Sequence, residues 1–444
     1  MVDFNNTLES AVKSVLKWEE KQIITEATII RDVQGKVSLF LENEQELTKN
    51  YITKLKEILQ DDLKGFFSGR IFCQKYKNGQ KVEEPRIKII KSIIEESREE
   101  WKTEDGIDFY ICERSIAKKA WVNATQDIKP VWSYQEAEDS NKAKVVTFYS
   151  FKGGMGRTTA LAGIALNLIE QNKNIMMIDM DIEAPGLSTL FFDDIVVKKG
   201  LLDYLIERPL NEQCDIHNYV LEVTDPALLK ENDGNLYLMP AGKVDETYLQ
   251  KLARIDYQDN RENNLKDSIK KLLEELDNTY HPDYILIDAR AGFHDMGGIA
   301  VAQIPHGAVL IGNGSKQSWD GMTQVIRTIA KGNTEEFSIM IVDSMCERAT
   351  SEKAIEQRKK FLNMAYTVCM ENYYNEDQVM PGIDAEGVEH QPEYIPYDSE
   401  LMQGFELFSD GYNDSEIRVQ AYRDLLTGSA YKDITKRIQS WFGE

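Results

Sequence analysis

Residues 152–159 read KGGMGRTT and directly follow an apolar run, Val145–Phe151. Glycines let backbone N–H groups turn inward around phosphate oxygens, and the helix predicted over Thr159–Glu170 adds the positive end of its dipole. A hydroxyl such as that of Thr158 ligates Mg²⁺ in loops of this kind. The loop departs from the regular template G-x-x-x-x-G-K-[ST], because Arg157 stands where the template has lysine. The stretch therefore predicts a variant phosphate-binding loop, described by KGGxG[KR][TS].

Composition limits the classes of protein to which the chain can belong. Its 444 residues suffice for two or three domains, and 42% are hydrophobic, but no apolar run reaches the length of a membrane-spanning helix. The first residues lack the pattern of a signal peptide. The five cysteines are scattered and never spaced as C-x-x-C, which favours free thiols in a cytoplasmic protein over disulfides or zinc. A net charge of −23 opposes both nonspecific DNA and anionic membranes as partners.

The sequence pattern divides the chain into two domains and a linker. Residues 1–124 carry apolar residues mostly at helical spacing, with one candidate strand at Ile107–Cys112, and predict a mainly α-helical accessory domain. Residues 125–143 are polar, contain Pro130 and predict a linker. In residues 144–444, short apolar runs alternate with helical stretches. This alternation predicts an α/β fold with a doubly wound, mostly parallel sheet flanked by helices. The predicted strands are Val145–Phe151, Ile175–Ile178, Leu236–Met239, Tyr284–Ile287, Ala308–Ile311 and Ile339–Val342.

Three acidic residues stand at or after the ends of predicted strands. Asp179 and Asp181 follow Ile175–Ile178, and Asp288 follows Tyr284–Ile287. Ligands of such sheets bind beyond the carboxyl ends of the strands. We expect Asp288 to hold Mg²⁺ through water, Asp179 to support the magnesium shell, and Asp181 to orient an attacking water. A single carboxylate after a strand is more often a helix cap, but three segments in this order favour a site.

Taken together, three segments resemble the deviant Walker A, Walker A′ and Walker B motifs of ParA/MinD/ArsA-type P-loop ATPases. They are KGGMGRTT at 152–159, IDMDIEAPGLS at 178–188 and ILIDARAG at 285–292. The similarity extends over residues 144–400. It implies ATP and Mg²⁺ as ligands and an ATP-sandwiched homodimer in which Lys152 acts on the partner's phosphates. The loop residues predicted to bind the nucleotide are Gly153, Gly154, Met155, Gly156, Arg157, Thr158 and Thr159.

The same resemblance suggests two residues for the base. Asp343 stands where the family places an Asn or Asp that reads adenine, and Pro396 lies in IPYD, which looks like the loop that closes over the base. An Asp at a strand end is a structural cap at least as often. Gly292–Gly298 follows the Walker B-like segment, and its glycines suit a switch segment that moves on hydrolysis.

Arg157 bears most on the expected rate. Arginine is planar and can fork two phosphate oxygens, so ATP binding should survive, whereas hydrolysis depends on positioning and should be slow. We assign Lys152, Arg157 and Asp181 to catalysis.

The sequence thus predicts a slow ATPase switch that dimerises around ATP and signals through residues 1–124 to a protein partner. Two alternatives remain, a hydrolysis-inactive ATP-sensing scaffold and a ParA-like partitioning or positioning ATPase. The stretch Tyr431–Phe442 is amphipathic, as a membrane-surface helix would be, but so is any helix that packs on its own domain.

Overall fold

The computed structural model describes residues 2–77, 80–82, 84–95, 98–114, 118–122, 130–139, 142–193, 195–211, 214–255, 265–331, 337–374, 380–402 and 404–444. The chain divides into two compact units, Met1–Ile116 and Ala117–Glu444. The first unit thus ends eight residues before the predicted boundary at 124. Of the predicted linker 125–143, residues 125–129, 140 and 141 lie outside the described residues, and the remainder belongs to the second unit.

In its described residues, the first unit contains a mixed sheet and three α-helices. Its strands are β1 (Ile24–Arg31), β2 (Val37–Asn43), β3 (Phe67–Cys73), β4 (Lys75–Lys77), β5 (Gln80–Val82), β6 (Glu99–Glu104) and β7 (Ile107–Glu113). Its α-helices are α1 (Thr7–Lys17), α2 (Lys49–Leu63) and α3 (Pro85–Glu95). Five strands form one sheet in the order β3-β2-β1-β7-β6, and β4 and β5 pair separately. Within the sheet, β1 runs parallel to β7 and antiparallel to β2.

The prediction of a mainly helical N-terminal domain is therefore wrong. Helices α1, α2 and α3 and the predicted strand at Ile107–Cys112 are present, but the spacing of apolar residues did not predict the central strands β1 and β2. In β2, Leu39 and Leu41 pack in the core beneath α1 and α2, whereas Phe40 packs with Ile87 and Ile94 of α3. A strand that is buried on both faces shows no alternation of polar and apolar residues, so period-2 patterning cannot reveal it.

The second unit is built on an eight-stranded sheet. Its strands are β8 (Lys144–Tyr149), β9 (Ile175–Asp179), β10 (Leu221–Glu222), β11 (Leu236–Met239), β12 (Tyr284–Asp288), β13 (Gly307–Gly312), β14 (Ser338–Cys346) and β15 (Glu393–Pro396). Its α-helices are α4 (Lys119–Val122), α5 (Tyr134–Asp139), α6 (Arg157–Ile169), α7 (Leu187–Phe191), α8 (Leu201–Glu207), α9 (Tyr248–Leu252), α10 (Leu265–Tyr280), α11 (Asp295–Ala302), α12 (Lys316–Lys331), α13 (Glu352–Asn372), α14 (Ser399–Met402), α15 (Asn413–Leu426) and α16 (Ser429–Ser440). The strand order is β10-β11-β9-β12-β8-β13-β14-β15, and among these described strands only the β10–β11 pair is antiparallel.

This architecture confirms the predicted doubly wound α/β fold. Every predicted strand of this unit is a strand of the sheet. Along β8, Val145 and Tyr149 lie in one hydrophobic core, and Val146 and Phe148 lie in the other. Burial on both faces explains why these strands read as continuous apolar runs. Because β9, β12 and β8 are adjacent and parallel, the loops that follow them lie side by side at one edge.

The amphipathic stretch near the C-terminus forms α16 and packs on its own unit. Tyr431, Ile434 and Ile438 are buried in the core that also contains residues of α6. The apolar side of α16 is thus occupied by protein contacts. Within the described ranges, none of the helices combines the length and hydrophobicity that a bilayer crossing requires.

Candidate nucleotide site

The glycine-rich loop connects β8 to α6 and has the backbone that its sequence predicts. Gly154 and Gly156 have φ angles of +74° and +71°, in the left-handed region that favours glycine. Gly156 is the N-cap of α6, so the helix begins at Arg157. The Ser344 hydroxyl of β14 donates a hydrogen bond of 2.8 Å to the carbonyl oxygen of Met155 and ties the loop to the sheet. The loop is thus held at the N-terminus of a helix, where anions bind.

Side chains from the three predicted motifs meet beside this loop. Arg157 Nε donates to Asp288 Oδ1, and Arg157 Nη2 donates to Asp181 Oδ2 over 3.2 Å. The Thr158 hydroxyl donates to the other oxygen of Asp288 over 2.7 Å. Asp288 is only 1% exposed. Residues far apart in sequence therefore form one buried, charged cluster.

Burial and ion pairing act against each other in this cluster. Burial disfavours the charged guanidinium of Arg157, but Asp288 and Asp181 outweigh it and raise the pKa of Arg157. Burial also raises the pKa of Asp288, although Arg157 and Thr158 counteract it. A buried charge that loses its partner is strongly destabilising, so these groups depend on one another.

Asp179 lies at the end of β9 and is fully buried. Its Oδ1 accepts a hydrogen bond from the backbone N–H of Asp181, and its Oδ2 accepts bonds from the N–H groups of Gly186 and Leu187, all between 3.0 and 3.1 Å. Burial, reinforced by the charge of Asp288, raises the pKa of Asp179 to about 7. Because both oxygens hold the backbone of residues 181–187, this geometry favours a role in positioning the loop that carries Asp181.

A second ionic cluster was not predicted as part of the site. Arg290 Nη2 lies 2.9 Å from Glu183 Oε2, and its Nη1 lies 3.5 Å from Asp181 Oδ1. His294 Nε2 pairs with the other oxygen of Glu183. Burial lowers the pKa of His294, although Glu183 opposes this effect. The available signal was positional, since Arg290 and Glu183 each come two residues after a predicted site carboxylate.

The predicted trans-acting lysine lies apart from these clusters. Lys152 is partly exposed at the start of the loop, next to the exposed Gly153 and Gly154. Unlike Arg157, it is in no ion pair with any residue that the structure describes.

The predicted base-binding residues lie on the neighbouring strands β14 and β15. Asp343 lines a cavity of about 510 Å³, together with residues that include Asn313, Trp319 and Arg358. Burial raises the pKa of Asp343 to about 7, and the charge of Arg358 opposes this shift. Pro396 ends β15 and pairs in register with Cys346 of β14. No sequence signal pointed to Arg358 or to the cavity.

The oxygen donors beside the loop suit Mg²⁺ that arrives with a nucleotide. The Thr158 hydroxyl and the Asp288 carboxylate are hard ligands, and Mg²⁺ is commonly held by one or two such groups together with substrate phosphates. Among the described residues, no group of three or more His, Cys, Asp or Glu side chains could hold a metal ion by itself. The donor set thus fits a metal that shares its ligands with phosphate.

Comparison with known proteins agrees with this assignment. Residues 143–341 match a protein family described as an AAA domain. The chain is 29% identical over 150 residues to an uncharacterised ATP-binding protein of Methanocaldococcus jannaschii, and 28% identical over 152 residues to the septum site-determining protein MinD of Bacillus subtilis. Each alignment covers 34% of this chain and 46% of the relative. The chain thus spans about half the length of the curated relatives it matches.

Among solved structures, a putative plasmid partition protein of Borrelia burgdorferi bound to AMPPNP is similar, with 17% identity and a TM-score of 0.40. That alignment covers 63% of this chain and 98% of the other. The family match over 143–341 and the likeness to MinD show that the second unit is similar to P-loop ATPases of the ParA/MinD type.

Proposed function

We propose that this protein is a slow, ATP-hydrolysing switch that dimerises around its nucleotide and signals through its first unit to a protein partner. The observation that carries the proposal is the convergence of Arg157, Thr158, Asp181 and Asp288 beside a glycine-rich loop at a helix N-terminus. Loop, hydroxyl and carboxylates are the groups that phosphoryl transfer from a Mg·ATP complex requires.

Each residue has a distinct role in this proposal. Backbone N–H groups of the loop bind the phosphates, Thr158 and Asp288 hold Mg²⁺, and Asp181 orients the attacking water. Bound Mg²⁺ supplies positive charge that stabilises the transferring phosphoryl group. We retain Asp179 as the support of this shell, acting through the backbone of residues 181–187.

Arg157 explains why turnover should be slow. Its guanidinium is shared between Asp288 and Asp181, so its orientation is set by these ion pairs, and a turn toward the phosphate oxygens disrupts them. Exchanging buried ion pairs carries a desolvation penalty, and arginine cannot relieve it by losing its proton.

The homodimer is proposed from Lys152. Its side chain is partly exposed and is in no ion pair with the described residues, so it is available to a second copy of the chain. The proposed nucleotide contacts at the base end are Asp343 and Pro396, which lie on adjacent strands.

A nucleotide sensor without turnover is the second candidate, and the pairing of Arg157 with both carboxylates favours it. Steady-state phosphate release separates the two functions. We expect release by the wild type that falls at least about tenfold in Asp181→Ala, because the attacking water loses its base. Asp320→Ala is the control, since Asp320 is an exposed carboxylate on α12 that pairs with Lys316. If the wild type releases no more phosphate than Asp181→Ala, the ATPase proposal is overturned and the sensor stands.

The dimer has its own test. Size measurements with ATP, with ADP and without nucleotide should show a doubled mass only with ATP, and Lys152→Ala should abolish the change. Lys316→Ala is a matched control, because Lys316 is a largely exposed lysine outside the loop. An ATP-independent size in the wild type would contradict the sandwich arrangement.

A further inference from the structure

A short segment directly after the first unit is hydrogen-bonded to the predicted switch segment, Gly292–Gly298. We call residues 118–122 the clamp segment. The backbone N–H of Lys118 donates to Asp295 Oδ1, and its ammonium lies 3.4 Å from Asp295 Oδ2. The indole N–H of Trp121 donates a bond of 2.7 Å to the carbonyl oxygen of His294. Three polar contacts therefore join the two segments.

Close packing accompanies these hydrogen bonds. The Trp121 ring lies edge-on to Phe293, with centroids 5.4 Å apart, and contacts Tyr149 of β8 at 5.7 Å. A Cβ atom at Gly298 would stand 2.8 Å from Ala120 Cβ and 2.9 Å from Trp121 Nε1. Only glycine at position 298 permits this approach, so the clamp segment and α11 fit each other without spare space.

The switch segment also contacts residues beside the nucleotide loops. His294 pairs through its ring with Glu183, which follows the proposed catalytic Asp181 by two residues. The Phe293 ring lies 4.9 Å from Phe151, the residue immediately before Lys152. The carbonyl oxygen of Gly292 accepts a hydrogen bond of 3.1 Å from the Tyr149 hydroxyl. The switch segment thus has direct contacts with the clamp segment and with residues beside the proposed site.

We propose that the clamp segment is the output contact of the nucleotide site. When residues 292–298 change position with the nucleotide, the bonds of Lys118 to Asp295 and of Trp121 to His294 break and re-form, and residues 118–122 change with them. This inference rests on the proposed function, which supplies the nucleotide-dependent movement. The first unit ends at Ile116, two residues before the clamp segment begins.

Thermodynamic linkage makes this coupling reciprocal. A protein partner that binds the first unit and displaces the clamp segment must alter nucleotide affinity by the same factor by which the nucleotide alters partner affinity. Among the described residues, the hydrogen bonds and ion pair of Lys118 and the indole hydrogen bond of Trp121 go to the switch segment, and no hydrogen bond, ion pair or ring contact joins either residue to the glycine-rich loop 152–159. Trp121 and Lys118 are therefore positioning residues.

Hydrogen exchange on the full chain tests the proposal, with ADP, with a non-hydrolysable ATP analogue and without nucleotide. In the wild type, exchange at 118–122 and at 292–298 should change together between ADP and the analogue. Trp121→Phe keeps an aromatic ring but removes the N–H donor. Loss of one hydrogen bond should raise exchange at 292–298 by about fivefold.

Trp132→Phe is the matched control, because the buried indole of Trp132 donates a bond of 2.8 Å to the carbonyl oxygen of Ala143, a residue outside the switch segment. It should leave exchange at 292–298 unchanged. A wild type that binds nucleotide with no change at 118–122 overturns the inference and leaves the proposed function standing. A chain that binds no nucleotide overturns the proposed function. In that case, equal exchange at 292–298 in the two tryptophan variants overturns the clamp contact as well.

Discussion

The phosphate end and the base end of the proposed nucleotide site differ in whether their charged groups already have ionic partners within the protein. At the phosphate end, Asp181 and Asp288 are buried, and both pair with Arg157, whose side chain is 11% exposed. At the base end, Asp343 faces a cavity of about 510 Å³ and is in no ion pair with any described residue. Entry of a base breaks no described ion pair there, whereas a phosphate and its metal must replace internal pairs.

This difference separates two contributions to binding. A preformed cavity needs little reorganisation, so its contacts count almost fully toward affinity. Where the charged groups of a cluster pair with one another, the loss of those ion pairs offsets part of the free energy of binding phosphate and metal. The phosphate end is therefore suited to a switch whose slow step is the exchange of ionic partners. The base end is suited to recognition of the nucleotide base.

The largest expected effect comes from Asp288→Asn at the phosphate end. The substitution removes the strongest partner of a buried guanidinium and should reduce the free energy of unfolding by about 3 kcal/mol. Denaturant unfolding measures this loss. Asp320→Asn is the control, because its exposed pair with Lys316 should contribute less than about 1 kcal/mol. Equal losses in both variants would show that the phosphate end is not self-paired in solution.

Asp343→Asn tests the base end through its pH dependence. The folded pKa of Asp343 is about 7, well above the ordinary value of an unfolded aspartate, because the carboxyl group is buried. The native state therefore binds more protons than the unfolded state between about pH 4 and pH 7, and the stability due to this group is lost as the pH rises through that window.

In a comparison of unfolding free energies, the wild type should lose on the order of 2 kcal/mol more than Asp343→Asn between pH 4 and pH 8. Asp179 titrates in both proteins, so the difference between them isolates Asp343. Parallel stability curves for the two proteins would mean that Asp343 is ionised and solvated, and the contrast between the two ends would then disappear.

Arg157→Lys should have a smaller effect. Whereas Asp181→Ala should lower the rate of phosphate release, this substitution should raise it. A lysine ammonium is a point charge and cannot bridge Asp181 and Asp288 in the way that a planar guanidinium does. With the carboxylates released, steady-state phosphate release should rise by up to about tenfold, which is about 1.4 kcal/mol in the barrier. A rate equal to or below that of the wild type would show that Arg157 does not limit turnover through its ion pairs.

The sequence predicted the second unit well for a physical reason. Its central strands are buried on both faces and alternate with helices, so each strand forms an apolar run between polar segments. The apolar run of β9 is followed directly by Asp179, and that of β12 by Asp288, so the sequence pattern pointed to these two site residues. Arg290 and Glu183 were missed because their importance depends on a contact across two loops, which spacing does not encode.

In the first unit, the burial of strands on both faces misled the prediction. The runs in β1 and β2 lie among three strongly amphipathic helices, and no motif marks the strand ends. The cavity beside Asp343 was also not predicted, because Asn313 of the loop after β13, Trp319 of α12 and Arg358 of α13 are brought together only by the fold.

The most direct test of the central claim is the magnesium dependence of nucleotide binding. Equilibrium binding of a non-hydrolysable ATP analogue is measured with Mg²⁺ and with a chelator, in the wild type and in folded Asp288→Asn. We expect Mg²⁺ to strengthen binding to the wild type by about tenfold or more and to have little effect on Asp288→Asn, because the metal loses its carboxylate. Binding that is the same with and without Mg²⁺ in the wild type, or an equal magnesium effect in both proteins, would contradict this expectation.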